Sequence, residues 1–250
     1  QISEFEHGAA EVLEHVEKVS LLARYKQVER SLGDQFPSWL SKLGIYANEK
    51  NSSVEAFSSI RNSNVSINAY CNSPLYFSDY ADEIRGRIRN LVNPSQNFLD
   101  DRDTVNRVGP VALHLRLGDY KNLSSIYGKF DVEYFSKALS LAERIGSSRP
   151  VWLFSDEPEL AYELLKSTVK NLHIAPLSPT LSNLETLLLM SECKGLIASN
   201  STFSWWAGYL MDQTHPVIFP RPFFSSSTLP EPKSMLLEAW IQLGRKLSNV

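Results

Sequence analysis

Missing from this sequence is any apolar run approaching the roughly 18 to 20 residues that a membrane-spanning helix needs, and its start has no charged-then-apolar pattern of a signal peptide. A soluble chain is the expectation, with room for an upstream segment because the first residue is Gln1 and not Met. Cysteine is scarce. Cys71 and Cys193 stand far apart, in neither a C-x-x-C pair nor a metal-binding spacing, so no disulfide framework or zinc site is indicated and two buried thiols are expected. An excess of one charge sign is also absent. A net charge of -3 and a pI near 6.0 give no bulk attraction to nucleic acid or to an anionic membrane, so no nucleic-acid partner is expected. Any anionic ligand must be held by a few placed groups. Neither G-x-x-x-x-G-K nor G-x-G-x-x-G occurs, which leaves a P-loop kinase and a dinucleotide oxidoreductase without support. Internal repeats and low-complexity stretches are lacking too.

What is present is ordinary globular material. Hydrophobic residues make up 43% and charged residues 21%, enough for a sizeable core or two small ones and incompatible with disorder as the main state. Between Ala9 and Leu32 the apolar residues Val12, Leu13, Val16, Val19, Leu22, Tyr25 and Val28 fall at helical spacing, which predicts an amphipathic helix. The next stretch is rich in Ser and Asn and reads as loop and short helix, including the patch Phe36 to Leu43. A second helix is predicted over Asp79 to Val92, with Tyr80, Ile84, Ile88 and Leu91 on one face and Pro94 closing it. Asp101-Arg102-Asp103 has the D-x-D form of a metal-binding transferase motif, but its place before a strand reads as an acidic surface loop.

After Gly109-Pro110 short apolar runs alternate with helical patterns. The runs are Val111 to Leu117, Val151 to Phe154, Leu172 to Ala175, Gly195 to Ala198 and Val217 to Phe219. Helical patterns cover Val132 to Ile145, Pro158 to Val169, Leu184 to Cys193 and Phe203 to Met211, with a last one at Lys233 to Leu247. Such alternation builds a parallel sheet covered on both faces. The division expected is 1–108 for an N-terminal region and 109–250 for a C-terminal α/β domain. Asp156 with Glu159, and Ser182 with Glu185, have the spacing of capping boxes. Asn51, Asn64, Asn122 and Asn200 open glycosylation sequons, a tripeptide common by chance.

Ligands of an open parallel sheet bind beyond the carboxyl ends of its strands. Three polar clusters fall at such ends. In Val111 to Tyr120, strand alternation puts His114 and Arg116 on one face about 7 Å apart, with Gly118 letting the backbone pass close to a ligand. Arg116 suits bidentate binding of a phosphate, although a surface ion pair would also account for it. Asp156, after Ser155, could cap the next helix or accept hydrogen bonds from the N1-H and 2-amino groups of guanine. Asn200-Ser201-Thr202-Phe203-Ser204-Trp205-Trp206 puts hydroxyls and an amide at a helix start, an anion site by dipole and free N–H groups, or else simple caps and core. The paired tryptophans would hold that helix start rigidly.

The segments His114-x-Arg116-x-Gly118-Asp119-Tyr120, Phe154-Ser155-Asp156 and Asn200 to Trp206 resemble, in order and spacing, three successive motifs of the alpha-1,2-fucosyltransferases of glycosyltransferase family 11. Similarity extends over roughly residues 68 to 225. The resemblance implies an α/β enzyme of the GT-B type, with a Rossmann-like parallel-sheet domain holding the nucleotide sugar and a smaller N-terminal acceptor-side domain that is largely helical or incomplete. The family's opening Gly-Gly-x-Gly-Asn-Gln turn has no counterpart here. On this analogy the partners are GDP-fucose and a galactose-terminated acceptor, attacked at O2, and no metal or other cofactor is needed. Arg116 would contact the beta-phosphate with His114 nearby, Asp156 would read guanine, and Ser201, Thr202 and Ser204 would hold the diphosphate. Gly118, Asn200 and Phe203 would complete the GDP-fucose site.

An inverting transfer needs stabilisation of the charge that grows on the departing phosphate, a role for Arg116 and the helix N-terminus. Asp119 is the nearest motif carboxylate for a general base, and the N-terminal half is the other source. The alternative from another class is a non-catalytic GDP-sugar or glycan-binding homologue. The location expected is the bacterial cytoplasm, free or peripheral to the membrane, or the Golgi lumen if an N-terminal anchor has been removed.

Overall fold

The computed structural model of the chain describes residues 46–48, 66–68, 73–118, 120, 123–128, 131–145, 149–225 and 235–245. The backbone falls into two compact units, Gln1–Cys71 and Asn72–Val250. In the first, strands β1 (Tyr46–Asn48) and β2 (Ser66–Asn68) pair in parallel with Tyr46 opposite Ser66. The helix predicted from Ala9 to Leu32, the patch Phe36 to Leu43 and Cys71 lie outside the described residues.

The second unit opens with single 3-10 turns, Pro74–Tyr76 and Ser78–Tyr80, and the helix α1 (Ala81–Asn90); of the predicted face Ile84 and Ile88 pack on the core, joined by Ala81, while Tyr80 and Leu91 at the two ends are exposed. Next comes α2 (Gln96–Val108), where the sequence suggested an acidic loop. The D-x-D residues therefore sit on a helix, and Asp101 accepts a hydrogen bond from the Ser178 amide at 2.8 Å. Phe98 and Val105 are the buried residues of α2, so its apolar stripe is too thin among charged neighbours to stand out as a period. Its ends are well made. Ser95 accepts from the Phe98 amide at the start, and Gly109 takes the left-handed conformation (φ 59°) that closes the last turn. Both α1 and α2 belong to the unit that contains the sheet.

The remaining elements alternate: β3 (Val111–Leu115), the single turn α3 (Ser124–Tyr127), α4 (Val132–Arg144), β4 (Val151–Ser155), α5 (Pro158–Leu165), β5 (Leu172–Ile174), α6 (Asn183–Ser191), β6 (Leu196–Ile197), α7 (Thr202–Leu210), β7 (Val217–Arg221) and β8 (Ile241–Gly244). All six strands from β3 to β8 are parallel and lie in the order β5-β4-β3-β6-β7-β8. This is the α/β architecture with a Rossmann-like sheet that the alternation implied. Side chains of successive strand residues enter opposite layers. Ala112, Trp152, Phe154, Leu196, Val217 and Phe219 join α2, α6 and α7, whereas Leu113, Leu115, Leu153, Ile197 and Ile218 join α4 and α5. Cys193 is fully buried in the first layer, and burial pushes its thiol pKa up.

A second element differs in type. The helix predicted over Lys233 to Leu247 is, at Ile241–Gly244, a strand added in parallel to β7, with Ile218 opposite Ile241. Leu236, Trp240, Leu243 and Leu247 fit helical spacing in the sequence. Trp240 buries in one layer and Ile241 and Leu243 in the other, a period of two, and the ladder along β7 decides the matter.

A carboxylate fixes two helix starts at once. Ser182 and Glu185 form the expected capping box on α6, and the same Glu185 accepts from the amide (3.1 Å) and hydroxyl (2.7 Å) of Ser95, the cap of α2. Burial works to raise the pKa of Glu185, but bonds from Ser182 and Ser95 outweigh it and hold the group at about 2.

Candidate functional site

The strand order reverses between β3 and β6. From β3 the chain crosses to α4 on one face, and from β6 to α7 on the other, so the carboxyl ends of these adjacent strands open a crevice at the topological switch point. A cavity of about 340 Å³ lies there, lined by Leu115, Arg116 and Leu117 after β3, Ser199 and Asn200 after β6, Pro220 of β7 and Arg245 after β8. Tyr120, Ser124, Gly128, Asp131, Tyr134 and Phe135 form the other side. The N-terminus of α4, capped by Asp131, borders it on one face, and on the other side the lining ends at Asn200, the residue before the Ser201 cap of α7. The α4 dipole therefore presents its positive end to the same space as Arg116, and α7 starts directly after the lining residue Asn200.

His114 and Arg116 have separate environments. His114 is 4% exposed and sits behind the cavity wall, where its Nδ1 lies 2.6 Å from the Ser204 hydroxyl and 3.1 Å from that of Ser199. Its ring leans on Phe203, with centroids 5.3 Å apart. Burial drives its pKa down to about 4, with Asp156 opposing and Arg116 assisting, so the imidazole is neutral at pH 7. Its geometry is that of a post that fixes the start of α7.

Arg116 lies just beyond the last residue of β3 and faces the cavity, with Nε 3.4 Å from Oδ2 of Asp156. Asp156 does not cap α5. The cap position is Glu157, without a side-chain bond, and the predicted box with Glu159 is not made. Both Asp156 oxygens instead accept from the turn after β3, Oδ1 from the Leu117 amide and Oδ2 from the Gly118 amide, each at 2.9 Å. Burial raises its pKa, but these amides and Arg116 outweigh that effect and leave it lowered. Gly118 is required by the approach of this carboxylate, since a Cβ there would stand 2.5 Å from Oδ2.

The Asn200 to Trp206 string divides by residue. Asn200 is buried, and its Nδ2 donates to the carbonyls of Tyr127 and Phe223, both at 2.9 Å, while its own carbonyl accepts from the Tyr120 hydroxyl at 2.9 Å. A side chain so committed is not a glycan acceptor, and the sequon is a chance match. Ser201 caps α7 by accepting from the Phe203 amide, Thr202 is exposed at the first turn, and Ser204 is fully buried against His114. The tryptophans hold the helix in place. Trp205 donates to the Met235 carbonyl and stacks on Tyr209 with centroids 5.1 Å apart, and Trp206 stacks on Phe77.

The structure thus puts Arg116 and Asn200 in the cavity wall, Gly118 and Asp156 on the turn that holds Arg116, Ser201 at the cap of α7 beside Asn200, and His114, Phe203 and Ser204 behind the wall. Asp119 lies outside the described residues. Sequence reasoning missed Ser199, the Asp131 cap and Arg245. Arg245 fell within a predicted helix, and only its position directly after β8 carries it to the cavity. Among the described residues no group of His, Cys, Asp and Glu is arranged to hold a metal ion, and no helix is long and apolar enough to cross a membrane.

Fold and cavity define an α/β protein with a Rossmann-like parallel sheet and a basic crevice at its switch point. The chain belongs to glycosyl transferase family 11, whose model matches residues 15–244. It is 31% identical over 137 residues to the O-antigen biosynthesis glycosyltransferase WbnK of Escherichia coli, which covers 53% of this chain and 44% of that protein. It is 23% identical over 158 residues to an alpha-1,2-colitosyltransferase of Escherichia coli, covering 62% and 54% respectively. The chain spans about half the length of these curated relatives.

Proposed function

We propose that the chain is an inverting glycosyltransferase that takes fucose from GDP-fucose and passes it to a glycan hydroxyl, O2 of a terminal galactose. The observation that carries this reading is Arg116 at a switch-point cavity bordered by the N-terminus of α4 and by Asn200, which leads into the cap of α7. Family membership and the names of the two relatives support glycosyl transfer.

In this reading the acceptor oxygen attacks C1 of fucose as the bond from C1 to the GDP oxygen breaks, and GDP leaves with that electron pair. The acceptor proton passes to a base, for which Asp119 is the candidate. Arg116 and the positive ends of α4 and α7 stabilise the charge that develops on the leaving phosphate, with no metal required. Asp156 holds the Leu117 and Gly118 amides and Arg116 in position. Its assignment as the guanine reader is thereby a second role for a carboxylate already bound at both oxygens. One displacement inverts the anomeric carbon.

The test is release of GDP from GDP-fucose with lactose and a panel of terminal galactosides, with and without EDTA, alongside GDP calorimetry. Acceptor-dependent release undiminished in EDTA is expected. Colitose is named by one relative, so an activated colitose donor belongs in the panel. Binding of GDP without release on any donor and acceptor would favour a non-catalytic binding homologue, and release that EDTA abolishes would overturn the metal-free chemistry.

A further inference from the structure

We propose that Arg245 is a positioning residue of the donor cavity, acting through the backbone of two loops; the inference rests on the reading above that this cavity takes the nucleotide sugar. Arg245 follows β8 at the edge of the sheet, and its own amide bonds to the Arg221 carbonyl, which continues the β7-β8 ladder. Its Nε donates to the Pro222 carbonyl at 2.8 Å, and its Nη2 donates to Tyr127 at 2.6 Å and to Phe223 at 3.0 Å. The last two carbonyls are the same pair that Asn200 holds from the other side.

Two side chains from different strand ends thus share two acceptors, and the acceptors belong to different walls of the cavity. Tyr127 ends the turn α3, next to the lining residues Ser124 and Gly128, and Phe223 lies beyond the lining residue Pro220. Further bonds sew the same two loops together, since the Ser225 amide donates to the Ile126 carbonyl at 2.8 Å. Gly128 has a positive φ of 82°, and a Cβ there would stand 3.0 Å from an Arg245 nitrogen, so the loop is shaped to let the guanidinium pass. Tyr120, which donates to the Asn200 carbonyl, stacks on Tyr127 with ring centroids 4.3 Å apart and an angle of 6°. Movement of Tyr127 therefore shifts Tyr120 as well, and with it a lining aromatic.

Only a planar fork with several fixed donors can span three carbonyls in this way, and a lysine ammonium cannot reproduce it. The function that follows is control of cavity width. The binding site is pre-organised by the clamp, so the cost of ordering the loops is met on folding and not on donor binding.

The experiment compares Arg245→Lys and Arg245→Met with the unaltered chain by amide exchange and by steady-state kinetics at varied GDP-fucose. Amides of 124–128 and 223–225 are expected to exchange at least tenfold faster in both variants, while those of β3 and β4 stay protected. The donor KM is expected to rise at least tenfold with kcat within about threefold, the pattern of lost ground-state binding, and Lys is expected not to rescue it. Unchanged loop exchange, or faster exchange with an unchanged donor KM, would overturn the proposal, as would full rescue by Lys. If Arg245→Met loses protection throughout the sheet, Arg245→Lys decides. Absence of turnover in the unaltered chain counts against the transferase reading alone, because loop exchange and GDP affinity still test the clamp.

Discussion

The hydroxyl of Ser204 lies 2.6 Å from Nδ1 of His114, which joins the last polar residue of the α7 start to the centre of β3. Neither group lines the cavity, yet both fix what does. His114 is buried and neutral, and its protonation would put a charge beside two hydroxyls in a dry layer.

From this follows a pH dependence of stability. The folded pKa of His114, about 4, is below the unfolded value of 6.5, so the unfolded chain binds more protons between them. The contribution is complete above pH 6.5 and is lost as pH falls through 4, on the order of 3 kcal/mol in total. Burial lowers the pKa of His215 too, which adds a slope of the same sign. Urea midpoints from pH 7 to 4.5 are expected to fall, and to fall less steeply in His114→Asn. An equal slope in that variant would refute the assignment.

Arg116→Ala is expected to lower kcat/KM for transfer by about 100-fold or more, the scale for one donor aimed at developing charge. The fold is expected to persist, because the side chain is 38% exposed and its ion pair with Asp156 is long, a type worth about 1 kcal/mol or less. Circular dichroism and a melting curve run beside the kinetics separate the two effects. Turnover near that of the unaltered protein would remove Arg116 from the mechanism.

Glu185→Gln is expected to destabilise the chain by about 1–3 kcal/mol, since an amide has one acceptor oxygen for donors from two helix caps and sets an NH2 against the rest. The carboxyl is held near 2 against an ordinary 4.5, so its contribution is complete above pH 4.5 and is lost as pH falls through 2. Chemical denaturation at pH 7 and at pH 3 is the check. The gap between the two proteins is expected to narrow in acid.

Gly118→Ala is expected to drive Asp156 off the turn, because the new Cβ falls 2.5 Å from its Oδ2. A fall in melting temperature together with a tenfold or greater loss of transfer is expected. Combining it with Asp156→Ala is expected to restore most of the melting temperature and none of the turnover. A single variant with normal activity would show that the turn has more room than the geometry allows.

Much of the sheet could be read along the chain. Apolar runs of the β3, β4 and β7 type are long and sharply bounded, so their burial on both faces leaves few alternatives. Helix α2 could not be read, because its contacts rest on Phe98, Val105 and the Ser95 bond to Glu185, a residue far along the chain. At the site the polar clusters were visible as motifs, but their division of labour was not. Asn200 and Asp156 both read as ligand contacts, and spacing could not show that the Asn200 amide nitrogen and both Asp156 oxygens also bond to backbone groups of neighbouring loops.

The sequence alone determined the alternation of strands and helices, and placed Arg116 and the Asn200 to Trp206 string at strand ends, because periodicity and turn chemistry are local properties. Tertiary structure decided the strand order that opens the crevice between β3 and β6. It also turned residues 241–244 into an edge strand, which brought Arg245 to the cavity and made His114 a buried support. Those outcomes depend on which surfaces exclude water together and which distant carbonyls need donors, and neither is written in the spacing of neighbours along a chain.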